Sequence, residues 1–195
     1  ALVRSPGGYL GEDIDVLYDF IHSGDEAKRP YNNKTMRDEI LAAHMDRETG
    51  DYNEFWASRD YLNDMKPMKA ALLMSHGFND WNVMPEHSYR IYKQAKEQGI
   101  PSQIFYHQNG HGGPPPFSMM NKWFTRYLHG IENNVEDDAK AWIVRENDKR
   151  DNPTSYEDYP NPEAKPVTLY INTGAPKAGT LSTTKLDNKG TETLH

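Results

Sequence analysis

Two side chains in this sequence have the types and the spacing to share a proton: Asp80, in His76-Gly-Phe-Asn-Asp-Trp-Asn-Val, and His111, in His107-Gln-Asn-Gly-His-Gly-Gly. A carboxylate held against one imidazole nitrogen fixes the ring and stabilises the imidazolium once formed. The other nitrogen is then free to take the proton of a hydroxyl nucleophile. The pair therefore reads as the acid and the base of a Ser, Asp, His triad. Its nucleophile should come earlier in the chain, yet no Gly-x-Ser-x-Gly turn occurs. Ser75 is the nearest serine to Asp80, but it is the strand residue just before His76. Cysteine is absent, which removes a thiol nucleophile, disulfides and thiolate metal sites.

Other readings compete for the same residues. Asp80 within Asn-Asp-Trp-Asn is also a turn aspartate by type. His76, His107 and His111 with Asp80 could supply nitrogen and oxygen ligands to a metal. His107 and His111 would share one face of a helix, but Asn109-Gly110 breaks any helix there, and the expectation is no metal and no cofactor.

Both residues must be presented by the elements before them. The run Ala70 to Ser75 lies between Pro67 and Gly77, is too short for an average helix, and reads as a buried central strand. Pro85 opens a helix through Gln98, with Tyr89, Ile91, Tyr92 and Ala95 apolar and Gly99 closing it. Ser102 to Tyr106 is the next strand, and the His111 loop follows it. This strand, loop, helix order is the one in which an α/β-hydrolase carries its acid and then its base, at the carboxyl ends of successive parallel strands.

Further elements are expected on either side. Ile14, Leu17, Tyr18 and Ile21 mark a helix after Gly11, Lys28 to Asn33 reads as a loop, and Thr35 can cap a helix through His44. Asp51 to Trp56 starts a short helix. After three prolines comes a helix with Met120, Trp123, Phe124, Tyr127 and Leu128 on its apolar face. From Glu132 helical signals stop: Ala141 to Val144 and Val167 to Ile171 read as strands, with a polar loop from Asp151 to Pro166 between them. The expected boundary lies near residue 132, with the start of an all-β module beyond it.

The chain has 195 residues and a net charge of −7 from 22 basic and 29 acidic residues, without a basic footprint, so nucleic acid is not an expected partner. No apolar run approaches the roughly 20 residues of a membrane span. The lack of cysteine is compatible with a reducing cytoplasm.

Four separated motifs point to a family: Ser5-Pro-Gly-Gly-Tyr-Leu-Gly-Glu-Asp-Ile-Asp-Val-Leu, Gly50-Asp-Tyr-Asn-Glu-Phe-Trp-Ala-Ser-Arg-Asp-Tyr-Leu, the His76 to Glu86 stretch, and Tyr106-His-Gln-Asn-Gly-His. In order and spacing they resemble Xaa-Pro dipeptidyl-peptidases, serine peptidases related to cocaine esterase. The resemblance runs through about residues 1 to 145. It implies removal of N-terminal Xaa-Pro dipeptides from proline-containing peptides by acyl transfer through a serine. Asp80 matches the triad acid and His111 the base. Asn82 matches the side chain that binds the substrate carbonyl before the proline, and is by type also a turn Asn. Trp81 lines the site or packs.

The resemblance further implies that residues 1–64 are the end of a helical insertion over the active site, 65–132 the last strands and helices of an α/β-hydrolase domain, and 133–195 the beginning of a jelly-roll-like β-sandwich. The chain would be a C-terminal fragment, inactive by itself, of a cytoplasmic, homodimeric parent that carries the serine upstream. An esterase or acylase of the cocaine esterase type, and a non-catalytic binding or assembly module, are the alternatives.

Overall fold

The computed structural model describes residues 4–5, 8–9, 27–46, 48–175 and 178–185. The helix expected after Gly11 lies outside them. Two compact units divide the chain, Ala1–Glu157 and Asp158–His195.

In the first unit β1 (Arg4–Ser5) pairs antiparallel with β2 (Gly8–Tyr9). A helical turn, α1 (Arg29–Tyr31), then runs into a π-helical stretch, Asn32–Ala42. The expected loop at Lys28 to Asn33 is thus helical, and Thr35 lies inside the helix instead of capping it. Pro30 is the reason a helix can begin there: its fixed φ and missing N–H suit a first turn. Next, α2 (Glu54–Ala57) is capped by Asn53, whose side chain accepts from the Trp56 amide. A 3₁₀ turn at Tyr61–Asp64 is started by Asp60 in the same way.

The sheet that carries the site has the order β3 (Leu72–Gly77), β4 (Ser102–His107), β5 (Ala141–Ile143), β6 (Thr154–Tyr156). The first three are parallel and β6 is antiparallel. Parallel neighbours need crossovers, and two helices supply them: α3 (Pro85–Glu97) between β3 and β4, and α4 (Phe117–Tyr127) between β4 and β5. This is the mixed α/β architecture with a parallel sheet that the alternation of elements implies.

All six residues of β4 are buried, as its interior place requires. Helix α3 packs on β3 and β4, burying Tyr92 and Ala95 completely. A small cluster of Met65, Ala95 and Ile100 extends this core toward Leu62, Met68 and Leu72. The expected apolar face of α4 is only partly covered among the described residues: Trp123 is buried, whereas Phe124 and Leu128 are exposed.

The boundary differs from the expected one. Ala141–Ile143 does not open a separate β module; it pairs in parallel with Ile104–Tyr106 and belongs to the same sheet. The polar stretch after Asp151 contributes β6, which pairs with β5. The chain divides after Glu157, not near residue 132. In the second unit β7 (Tyr170–Ala175) and β8 (Ala178–Ser182) form an antiparallel pair.

The register sets Gly77 opposite His107, so both strands end level and their loops leave side by side. Gly77 has no room for a side chain, because a Cβ there would collide with the backbone carbonyl oxygens of Asn109 and Gly110. Gly77→Ala is therefore expected to cost about 1–3 kcal/mol by forcing the two loops apart. Gly110→Ala, where a Cβ meets only ordinary contact, should stay within about 0.5 kcal/mol of the unsubstituted chain. Urea unfolding of both variants checks the contrast.

Candidate active site

The loop after β3 carries Asp80 and leads straight into α3. Asp80 is 4% exposed, and its carboxylate is satisfied on both oxygens. Oδ1 accepts the backbone N–H groups of Asn82 at 3.1 Å and Val83 at 3.0 Å. Oδ2 lies 2.9 Å from His111 Nδ1. A carboxylate only accepts, so Nδ1 carries the proton and His111 Nε2 keeps its lone pair. One oxygen of Asp80 thus holds the turn and the other holds the imidazole.

The amide of Val83 is the strongest of the influences that hold the Asp80 carboxyl below the ordinary carboxylate range; the His111 and Asn82 hydrogen bonds add to it, against the opposing effect of burial. The acid is therefore ionised at neutral pH. His111 itself is 67% exposed at the side chain, so the ring is anchored at Nδ1 and open elsewhere.

Its loop is tied down from beneath. The Ser75 hydroxyl donates to the Gly113 carbonyl at 2.6 Å, which occupies Ser75 in support of the loop. The Phe78 amide donates to the His107 carbonyl at 2.7 Å, and the Asn79 side-chain amide to that of Gln108. The Arg150 guanidinium donates to the Pro114 carbonyl. Gly112 and Gly113 have φ of 83° and 126°, values that favour glycine and let the chain fold back over His107. Tyr106 stacks on Phe78, with ring centroids 4.5 Å apart, and its hydroxyl donates to the Pro85 carbonyl.

The other candidates divide. His107 is buried, and its Nδ1 accepts the Asn109 amide at 3.2 Å. Burial first, then the nearby Arg150 charge, push its imidazole below the ordinary range, so it is neutral. Asn82 contributes its backbone N–H to Asp80, while its side chain is exposed. Trp81 is 62% exposed, so it does not pack into the described core. Among the described residues no group of three His, Asp or Glu side chains is disposed to hold a metal ion.

Residue typing missed the partners of His76. By type it offers itself only as a metal ligand, yet its Nε2 lies 2.7 Å from the Val83 carbonyl and 3.3 Å from Asp80 Oδ2, and its Nδ1 meets the Ser88 hydroxyl. A histidine four residues before the acid, at the end of a strand, was the available signal.

An apolar cavity of about 590 Å³ lies elsewhere, between the Tyr52–Met68 segment and α3, with Trp56, Tyr61, Met68, His87 and Ile91 on its walls. It does not touch Asp80 or His111. Of its charged groups, Asp60 is engaged by the Tyr52 hydroxyl, Arg90 by Glu86, and Arg59 by the Phe55 carbonyl and ring. The polar pair, not the larger void, marks the candidate site. No helix among the described residues is long and apolar enough to cross a membrane.

Comparison with known proteins agrees with this geometry. Residues 1–113 match the family model described as X-Pro dipeptidyl-peptidase (S15 family). A Rhodopirellula baltica protein provisionally named Xaa-Pro dipeptidyl-peptidase is 61% identical over 194 residues, covering 99% of this chain and 31% of its own. The Xaa-Pro dipeptidyl-peptidase of Ligilactobacillus salivarius is 32% identical, covering 98% of this chain and 24% of its own. The chain thus spans less than a third of the length of these relatives. In fold it is similar to a CocE/NonD family hydrolase of Staphylococcus aureus, with a TM-score of 0.56 and 19% identity, over 76% of this chain and 26% of that one. A parallel α/β sheet with a buried acid against a histidine, together with these matches, establishes that the chain belongs to the X-Pro dipeptidyl-peptidase (S15) family.

Proposed function

We propose that Asp80 and His111 are the acid and base of a Ser, Asp, His triad in a serine exopeptidase that releases N-terminal Xaa-Pro dipeptides. The observation that carries this reading is the 2.9 Å contact between Asp80 Oδ2 and His111 Nδ1, at the carboxyl ends of adjacent parallel strands. Ionised Asp80 holds His111 in the tautomer whose Nε2 accepts a proton. That nitrogen would take the serine proton on attack and return it to the leaving amine.

The serine belongs, in this proposal, to the part of the longer protein that this chain does not span. Asn82 is the proposed partner of the substrate carbonyl before the proline, and its exposed side chain is free of the turn that its backbone makes. Residues 1–64 are read as the end of a helical insertion over the site, and the unit from Asp158 as the start of a jelly-roll-like domain. On the family resemblance alone, the parent is read as a cytoplasmic homodimer acting on proline-containing peptides.

The purified chain is expected to show no turnover of a Gly-Pro or Ala-Pro chromogenic amide; measurable hydrolysis would sink the division of the triad. The full-length parent should cleave the same amide, and His111→Ala there should lower kcat by about 10³-fold or more. Ester cleavage without Xaa-Pro selectivity would point instead to an esterase.

A carboxyl whose folded value lies below its unfolded one stabilises the fold at pH above the unfolded value, about 3.9, and that contribution is lost as pH falls through the lowered folded value. The stability gap between the chain and its Asp80→Asn variant should therefore be flat from neutral pH to about pH 5 and shrink below it. Urea midpoints measured across that range test the sign.

A further inference from the structure

The carboxylate of Asp80 faces two imidazoles, and only one has a place in the proposed chemistry. The other, His76, is the next-to-last residue of β3 and almost buried. Its Nε2 lies 2.7 Å from the Val83 carbonyl, which can only accept, so the proton is on Nε2. The same N–H lies 3.3 Å from Asp80 Oδ2, the oxygen that holds His111. On the far side, Nδ1 meets the hydroxyl of Ser88, which is buried in the first turns of α3. A ring protonated at Nε2 can satisfy both partners, with Ser88 donating to Nδ1 and Val83 accepting.

We infer that His76, backed by Ser88, is the positioning residue that orients the Asp80 carboxylate toward His111. The ring joins three things: it sits at the end of β3, it holds the carbonyl of the residue whose amide binds Asp80 Oδ1, and it lies 3.3 Å from Oδ2. Rotation of the carboxylate away from His111 would break bonds on both oxygens. Without His76, Oδ2 would keep only its bond to the exposed His111 ring, and the two amides would hold Oδ1 alone. The polar contacts of His76 are with Ser88, Val83 and Asp80, so its part is exerted through Asp80.

This rests on the reading of Asp80 and His111 as acid and base, but its test does not need turnover. In the ¹⁵N-labelled chain, the proton on His111 Nδ1 reports the bond to Asp80 directly. His76→Phe keeps the ring's shape and removes its polar atoms; the exchange of the His111 Nδ1 proton with water should then speed up by about tenfold or more, and the Nδ1–H tautomer lose population. His76→Gln, whose side-chain amide can donate to the Val83 carbonyl, should bring exchange back to within about twofold of the unsubstituted chain. A residue that merely fills space would lower stability in the Phe variant and leave the His111 tautomer unchanged, and that result overturns the inference. So does the absence of a His111 Nδ1 proton in the unsubstituted chain. If His76→Phe does not fold, Ser88→Ala carries the test: it removes only the outer bond, and an unchanged His111 signal in it counts against the role. A parent that fails to cleave Xaa-Pro amides would sink the peptidase reading and leave this result at His111 intact.

Discussion

The site depends on how closely two strand ends approach. Where β3 finishes, the backbone of the His111 loop lies against Gly77 with no space for a Cβ, and from that contact the two loops run side by side. Every hydrogen bond that ties them, from Phe78 to His107, Asn79 to Gln108 and Ser75 to Gly113, spans this gap. A side chain at position 77 would act as a wedge. The cost would fall on the geometry of Asp80 and His111 first, because their 2.9 Å hydrogen bond spans the two loops that the wedge would part.

Within that frame the carboxylate of Asp80 does two jobs through two oxygens. Oδ1 closes the turn at Asn82 and Val83, and Oδ2 anchors the imidazole. The division has a physical logic. Charge-assisted hydrogen bonds to backbone amides compensate the desolvation of a nearly buried carboxylate, so it can stay ionised while pointed at a histidine. Burial then falls outward, from a nearly buried acid to an imidazole open to solvent.

The elements around the site were legible where local pattern decides structure. The apolar run ending at Ser75, the Pro85 start, the Gly99 stop and the strand after Ser102 all form close to where residue types place them. The misreadings occurred where pairing at long range decides. Thr154–Tyr156 is short, polar and set among prolines, and it becomes a strand only because β5 offers an edge. Ala141–Ile143 was assigned to a new module because helical periodicity ends near Glu132. Its partner, though, is Ile104–Tyr106, and no local signal records a parallel pairing across that distance. At Lys28 to Asn33, Pro30 suggested a loop although it suits a helix's first turn equally well.

By itself the sequence determined the family and the α/β class and singled out Asp80 and His111 as candidates, because these rest on residue types in order along the chain. It also left Asp80 open between a turn residue and a partner for an imidazole. Only the tertiary structure showed that one carboxylate makes both contacts, that Ser75 is engaged beneath the His111 loop, and that His76 lies against the same carboxylate. Those outcomes depend on which lone pair faces which donor across two strands. Such angles are set by register and by the close approach at Gly77, and the order of residues does not encode them locally.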